Sequence, residues 1–394
     1  MRRELLIAAG PGEWRAALVE DGAAVELYVE RGDIRPAGSI HLGRVARHAP
    51  GLDSAFVEIG DERPGIVPVR EAAADGIRLD EGARVLVQIR REAQPDKGAR
   101  LSTRIVPRGL DLGTLSARAA AREPPAQLDP APGLAAALAL RVPAPPDRVV
   151  ADDAAAIPEL RATFPAAEIA QGTATDWPFD LDAAIDAALM PSLALPDGGS
   201  LHFEEARAAV LIDVDTGNPE RGSAARAALA ANLAAARVIA RQMRLRNLGG
   251  GIVIDFVGLD GRGPRERVRQ ALAAELASDP AQPQVLGWTR LGHLELVRPR
   301  RSRSLAAAML EPGGTGRHAT ALAHDALRLL AVEARARPES NWRLVVTPAV
   351  AAALRGAAAA GLAALERRLG RRIAIETAGE SPSAGPRPFD IVAS

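Results

Sequence analysis

Apolar and polar positions along this chain change period several times, and the changes divide it. Residues 3–30 carry three short apolar runs, ELLIAAG, WRAALVED and AVELYVERG, parted by turns at Gly10–Gly12 and Asp21–Gly22; they predict a meander of strands. From Gly38 to Arg104 short apolar runs broken by Gly and Pro predict a small Greek-key barrel of the OB type. Leu110 to about Gly199 is rich in Ala and Pro, as in EPPAQLDPAPG and RVPAPPDR, with helices predicted at Ala154–Thr163 and Leu181–Met190.

The next stretch organises the rest. An apolar run from Ala208 to Val214 is interrupted by Asp213 and followed by Asp215 and a loop of Gly, Asn and Pro. A helix is predicted from about Ala224, because Leu229, Leu233, Ala236, Ala240 and Met243 recur at the three-and-four spacing of one face. Arg226, Arg237, Arg241 and Arg244 fall mostly on other faces. Gly249 to Gly251 supply left-handed residues to end the helix, and a second apolar run finishes at Asp255. A strand, helix and strand of this length make parallel strands. Both acids then lie at the same ends of their strands, where open α/β sheets place their sites. Beyond, the spacing predicts a helix over Arg262–Asp279 and a strand pair in QVLGWTR and HLELVRPRR. A helix at Thr320–Ala336, a strand in WRLVVTP, a helix over Val350–Leu369 and a strand in RRIAIETA complete a mixed α+β chain of the α/β class.

A carboxylate inside an apolar strand is costly unless paired, neutralised or bound to metal. Asp213 in LIDV and Asp255 in VIDF have no basic neighbour within their strands. Carboxylates converging without Cys or His ligands suit a hard cation, Mg²⁺ or Mn²⁺, that keeps its remaining waters. The plainer reading is that each Asp caps a turn past its strand. The basic run Arg298, Arg300, Arg301 and Arg303 reads either as a solvated tail or as guanidinium forks for phosphate. The histidines, among them His41, His48, His202 and His293, are scattered without ligand spacing and read as structural or exposed. No GxxxxGK[ST] loop and no GxSxG elbow occurs.

Composition narrows the classes. The 394 residues contain no Cys, which excludes disulfides and thiolate metal sites, zinc among them. No apolar run approaches the roughly 18–20 residues of a membrane span, and MRRELLIAAGPGE is too short and polar for a signal peptide, so a soluble cytoplasmic protein is expected. Lys+Arg and Asp+Glu both number 49, so nucleic-acid affinity would need a local basic face. Lys97 is the only lysine.

IDVDTG, NLAAARVIARQMRLRNLGGGIVIDF and WTRLGHLELVRPRRSRSL together resemble the catalytic region of the ribonuclease E/G family. In that family two strand-end aspartates coordinate Mg²⁺ and a polar residue two positions after the first supports them. The resemblance therefore implies metal ligands at Asp213 and Asp255 and the supporting position at Asp215, where the family usually has Asn. Asn232 matches a slot of the family's NLEAA run; it orients a metal-bound water or is a polar residue of the helix face. GRVARHAPGLDSAFVEIGDERPGIVP and QIRREAQPDKGARLSTRI resemble the family's inserted OB-fold RNA-binding domain. This implies a base-stacking aromatic at Phe56, an RNA-contacting lysine at Lys97 and phosphate contacts at Arg91 and Arg44. Ile66 stands where the family has its second stacking aromatic. The Arg-Thr pair of the family's 5′-monophosphate sensor has no clear counterpart; SARAAARE (Ser116–Glu123) is a poor substitute. The Cys pair that links family dimers through zinc is absent, which excludes a zinc-linked tetramer and leaves a homodimer through the C-terminal segment as the expectation.

The domains expected are N-terminal strands of an RNase H-like scaffold at 1–35, an OB-fold RNA-binding domain at 36–106 and a shortened scaffold region at 107–199. A DNase I-like catalytic subdomain at 200–305 and an α/β subdomain at 306–394 follow. The function implied is a Mg²⁺-dependent endoribonuclease acting on single-stranded RNA, with Arg298 and Arg300 on phosphate. Two alternatives stand beside it: an RNA-binding protein of this fold with little or no cleavage, favoured by Asp215, Ile66 and the missing sensor, and hydrolysis of another phosphodiester.

Overall fold

The computed structural model describes residues 2–32, 35–61, 63–93, 97–107, 110–129, 133–196, 198–216, 224–300, 302–378 and 388–393. They fall into two compact units: Arg31–Ala137, and Met1–Glu30 with Leu138–Ser394.

In the first unit, alternation along short strands closes a sheet on itself. Ile40–Ala49, Ser54–Glu58, Gly65–Pro68, Arg100–Ser102 and Arg84–Arg91 are neighbours in that order, and Ile40–Ala49 pairs with both Ser54–Glu58 and Arg84–Arg91. This closed five-stranded barrel, with helix Val69–Ala74 following its third strand, is consistent with an OB fold. Alternate residues fill it, among them Val45, Val57, Val67, Val87, Ile89 and Leu101. Gly43 sits where the wall is pressed closest; a Cβ there would stand 2.4 Å from Val57 Cγ1. Outside, Ala126–Gln127 adds to Ile40–Ala49, and helix Leu112–Ala120 buries Leu115 with Ile40, Leu42 and Leu128. That helix starts where Asp111 accepts from the Thr114 N–H at 2.9 Å.

In the second unit the N-terminal meander appears as Arg3–Ala9, Glu13–Glu20 and Ala23–Arg31. Arg148–Ala151 joins Arg3–Ala9 in parallel, and Glu168–Gln171 joins Arg148–Ala151 likewise. The Ala- and Pro-rich region thus completes the sheet that the N-terminus begins. The guanidinium of Arg15, 0 % exposed, is surrounded by three carboxylates: Glu13 at 2.8 Å, Asp182 at 3.0 Å and Asp325. A buried cation persists only with such compensation. Here it ties the meander to helices Leu181–Leu189 and Ala319–Ala336.

The six-stranded sheet runs Ser192–Ala194, Ser200–Glu205, Val210–Asp215, Gly250–Asp255, Leu294–Arg298 and Gln284–Trp288. Helices Ala224–Leu245 and Arg262–Leu276 cover one face, burying Ile212, Val214, Ile252, Ile254, Leu294 and Leu296. On the other face Leu211 and Val297 remain 42 % and 41 % exposed. The strands are therefore buried on one side only. After helix Ala224–Leu245 the first left-handed residue is Asn247, at φ 51°; of the three glycines Gly250 has a positive φ, 96°, where the next strand begins. The loop at 217–223 and Arg301 lie outside the described residues.

The C-terminal segment departs from its expected pattern twice. The single helix over Val350–Leu369 is broken at Gly356 into Pro348–Arg355 and Ala359–Leu369, bent by 76°. A strand at Phe389–Ala393, unforeseen from PRPFDIVAS, pairs with Trp342–Val346. Among the described residues no single helix is long and apolar enough to cross a membrane.

Candidate active site

Strand alternation decides where the two central acids point. Ile212 and Ile254 face the helices, so Asp213 and Asp255, the next residues along, face the open side. The parallel register sets Asp213 opposite Asp255. Neighbouring strands lie about 4.8 Å apart, so the two carboxylates share one patch of surface. The burial cost expected from the apolar runs is not present, because the Asp255 side chain is 59 % exposed and Asp213 is exposed as well. What remains is the pairing itself: two like charges side by side, which a bound cation would relieve. Asp215 lies two residues further on the same face, opposite Ser200.

The acid pair belongs to a longer row. Ser192 is opposite His202, and His202 is opposite Asp213. Past Asp255 the row reaches His293, whose Nε2 lies 3.6 Å from Asp255 Oδ2. His202 Nδ1 is 2.9 Å from Ser192 Oγ. Two histidines that look scattered in the sequence therefore flank the acids. Only strand register reveals this, since they are 91 residues apart in numbering (His202, His293).

Asn232 is 0 % exposed on helix Ala224–Leu245. Its Nδ2 donates to the Val257 carbonyl at 2.8 Å, and its Oδ1 accepts from the Val257 N–H at 3.0 Å. This corrects the expectation that it orients a metal-bound water, because both ends of the amide are committed to backbone. Asn232 instead clamps the chain two residues after Asp255.

The basic run is corrected as well. Arg298 is 3 % exposed, its guanidinium paired with Asp279 at 2.7 Å and donating to the Leu248 carbonyl at 2.7 Å. It is a structural ion pair with nothing left for phosphate. The strand register also opposes Gly250 to Arg298 and Ile254 to Leu294, so Arg298 lies at the start of the strand that ends in Asp255. Five residues at about 3.3 Å each separate the two ends. Arg300 is exposed but also sits at that far end, its Nε donating to the Gly249 carbonyl at 2.9 Å. Arg246 lies over Phe203, 4.1 Å from the ring centroid, with burial lowering its pKa to about 10.

On the barrel, register gathers a second set. Arg47 is opposite Phe56, Phe56 is opposite Ile66, Ile66 is opposite Arg100, and Arg100 is opposite Arg91. The Arg47 guanidinium stands 4.2 Å from the Phe56 ring centroid. One band around the outer wall thus reads basic, aromatic, aliphatic, basic, basic. The sequence points to Phe56, Ile66 and Arg91; Arg47 and Arg100 emerge only from the strand pairing. Lys97 is exposed. Gly98 after it lies against Pro64, whose carbonyl oxygen would be 1.9 Å from a Cβ, so glycine is required for this approach. Arg44 is less available, being held by the Gly82 carbonyl at 3.3 Å and Glu123 at 3.8 Å.

Comparison with known proteins bears on both sets. The ribonuclease E/G family profile matches residues 169–301, a span that contains the whole six-stranded sheet. Ribonuclease G of Escherichia coli (strain K12) is 25 % identical over an alignment of 495 positions that covers 100 % of both chains. Ribonuclease G of Haemophilus influenzae is 27 % identical over 77 % of this chain and 80 % of its own. Ribonuclease E of a Nostoc species is 29 % identical over 74 % of this chain, which spans 55 % of that relative. The family match and these relatives support membership of the ribonuclease E/G family.

In this chain the acid pair fits a hard divalent cation. Both donors are carboxylate oxygens, both are exposed, and they adjoin in register. Mg²⁺ takes one or two carboxylates and completes its shell with waters and substrate phosphate oxygens. Among the described residues no group of three His, Asp or Glu side chains is gathered tightly enough to hold an ion without such help.

Proposed function

We propose that this protein is a cytoplasmic endoribonuclease that cleaves single-stranded RNA with Mg²⁺, or Mn²⁺, held by Asp213 and Asp255. The observation that carries the reading is the register of these two carboxylates on the open sheet face. What such an ion supplies when bound is neutralisation of the scissile phosphate's charge and a more acidic water. The chain's own residues do the positioning. Asn232 fixes the Val257 backbone and with it the end of the Asp255 strand. Asp215 adds negative potential on the same face, in a supporting role. On the barrel, Phe56 and Ile66 offer a surface for bases, while Arg47, Arg91, Arg100 and Lys97 offer charge to the backbone; such surfaces bind single strands with little sequence preference.

A second reading, an RNA-binding protein with little cleavage, draws on Asp215 and on the aliphatic Ile66 in the stacking band. Cleavage of an end-labelled A/U-rich single-stranded RNA, with Mg²⁺ or with chelator, separates the two. Loss of cleavage in Asp255→Asn with unchanged RNA binding supports the endoribonuclease. Tight binding by the wild type with no metal-dependent cut supports the binder. A homodimer, the assembly expected of the family, would show as a concentration-dependent mass in sedimentation at micromolar protein.

A further inference from the structure

A cleft opens directly beside Asp255. It is lined by Asp255, Phe256, Gly258, Arg265, Trp288 and Leu291 and has a volume of about 160 Å³. Phe256, 5 % exposed, buttresses Trp288 from inside, with ring centroids 5.9 Å apart and planes inclined at 52°. The Arg265 guanidinium lies 5.6 Å from the indole centroid, while its Nε donates to the Leu259 carbonyl at 3.2 Å. Leu291, 83 % exposed, stands on the turn closed by the Thr289 N–H and the His293 carbonyl at 2.8 Å. Trp288 Nε1 is sealed from solvent and has no acceptor among the described residues.

We propose that this cleft seats one pyrimidine base of the RNA strand, adjoining the phosphate that faces Asp213 and Asp255; the inference rests on the endoribonuclease reading. Position argues for it, because a strand whose phosphate meets the acid pair carries its neighbouring base past Trp288. Chemistry agrees. An aromatic face with an arginine against it is the platform on which proteins stack single-stranded bases. Size selects the ring. An apolar cavity of about 150 Å³ accommodates benzene, so this cleft suits one six-membered ring better than a fused purine. The buried indole N–H selects the edge. It has no acceptor among the described residues; a pyrimidine ring carbonyl supplies one, whereas adenine carries no carbonyl.

The test uses the full-length protein in chelator, with the tetranucleotides rC4 and rA4 as probes and tryptophan fluorescence as readout. Trp14, Trp177 and Trp342 are buried at 7 %, 9 % and 4 % exposure, so the signal that responds is that of Trp288. The wild type is expected to be quenched by rC4 and to bind it about tenfold more tightly than rA4, the discrimination of one stacked, bonded base. Trp288→Leu removes the quench and equalises the two probes. Trp288→Phe keeps the stacking face but loses the N–H, so affinity for rC4 is largely kept and the preference over rA4 shrinks. Equal quenching by rA4, or rC4 binding unchanged in a folded Trp288→Leu, overturns the inference. If Trp288→Leu does not fold, an undiminished rC4 preference in Trp288→Phe overturns it instead. The endoribonuclease reading fails separately. Its failure is metal-dependent cleavage that survives Asp255→Asn, and in that case a selective rC4 quench leaves the cleft as a pyrimidine-binding site.

Discussion

Replacing Asn232 by Leu tests whether the site is held from behind. Leu fills much the same space, so the change removes two hydrogen bonds without opening a large cavity. Val257 is half-buried, and its N–H and carbonyl lose the partners they have at 3.0 Å and 2.8 Å. An unsatisfied buried group costs about 1–3 kcal/mol, and partial access to water puts both groups toward the low end, so the sum is about 2–3 kcal/mol. For a unit of this size that corresponds to a fall of roughly 3–5 °C in Tm by circular dichroism. The functional effect follows from position. Val257 is two residues past Asp255, and a displacement of about 1 Å at a reacting centre costs up to roughly a hundredfold in rate. Metal-dependent RNA cleavage should lose ten- to a hundredfold in kcat with KM little changed, because the barrel band proposed to hold RNA is untouched. A variant with wild-type Tm and wild-type kcat would refute the clamp. A variant with lowered Tm and intact kcat would leave Asn232 a fold residue with no bearing on Asp255.

Other outcomes follow from the same geometry. His41 is 0 % exposed with neither ring nitrogen partnered among the described residues, and burial, helped by the Arg35 charge, lowers its pKa from 6.5 to about 4. Its folded value is depressed, so the unfolded chain takes up the proton first: stability is intact above pH 6.5 and is lost as pH falls toward 4, by about 3 kcal/mol in all. Urea midpoints across that window should fall less steeply in His41→Leu than in the wild type, and equal slopes would contradict the assignment. Arg298→Ala strands the buried Asp279 and should cost about 3–5 kcal/mol in urea unfolding, whereas Arg300→Ala should cost less than about 1 kcal/mol. Equal costs would mean that the buried pair is not formed. Phe56→Ala and Arg47→Ala should each weaken single-stranded RNA binding by filter assay, Phe56→Ala by about 1–3 kcal/mol, and Ile66→Phe should tighten it. Binding indifferent to all three would remove the band from the RNA path.

Much of the fold is legible in the chain because burial here follows simple periods. The helix at Ala224–Leu245 and the strands ending in Asp215 and Asp255 repeat the spacing read from Leu233, Ala236, Ala240 and Met243. The errors have one source. An apolar run states that residues avoid water but not from which side: in LIDV and VIDF, Ile212, Val214, Ile254 and Phe256 are inside, while Leu211, Asp213 and Asp255 face out. Arg298 looks like its exposed neighbour Arg300 until the strand alternation turns it inward to Asp279. The rows His202–Asp213–Asp255–His293 and Arg47–Phe56–Ile66–Arg100–Arg91 exist only across strands, and no spacing along the chain encodes them. Gly356 breaks a helix whose apolar pattern continues on both sides, so periodicity alone joined the two halves.

The open side of the six-stranded sheet has a thermodynamic consequence for the proposed chemistry. Asp213 and Asp255 stand in full solvent dielectric, where two carboxylates hold a divalent ion weakly. An RNA strand laid across them would bring phosphate oxygens as further ligands for an ion held by the two carboxylates and would displace the water that screens it. Occupancy by the metal and occupancy by RNA are then linked quantities, each raising the other's affinity by the same factor. On the proposed reading the substrate itself would become the missing layer of the sheet, and the ion would be held firmly only while there is a phosphodiester to act on.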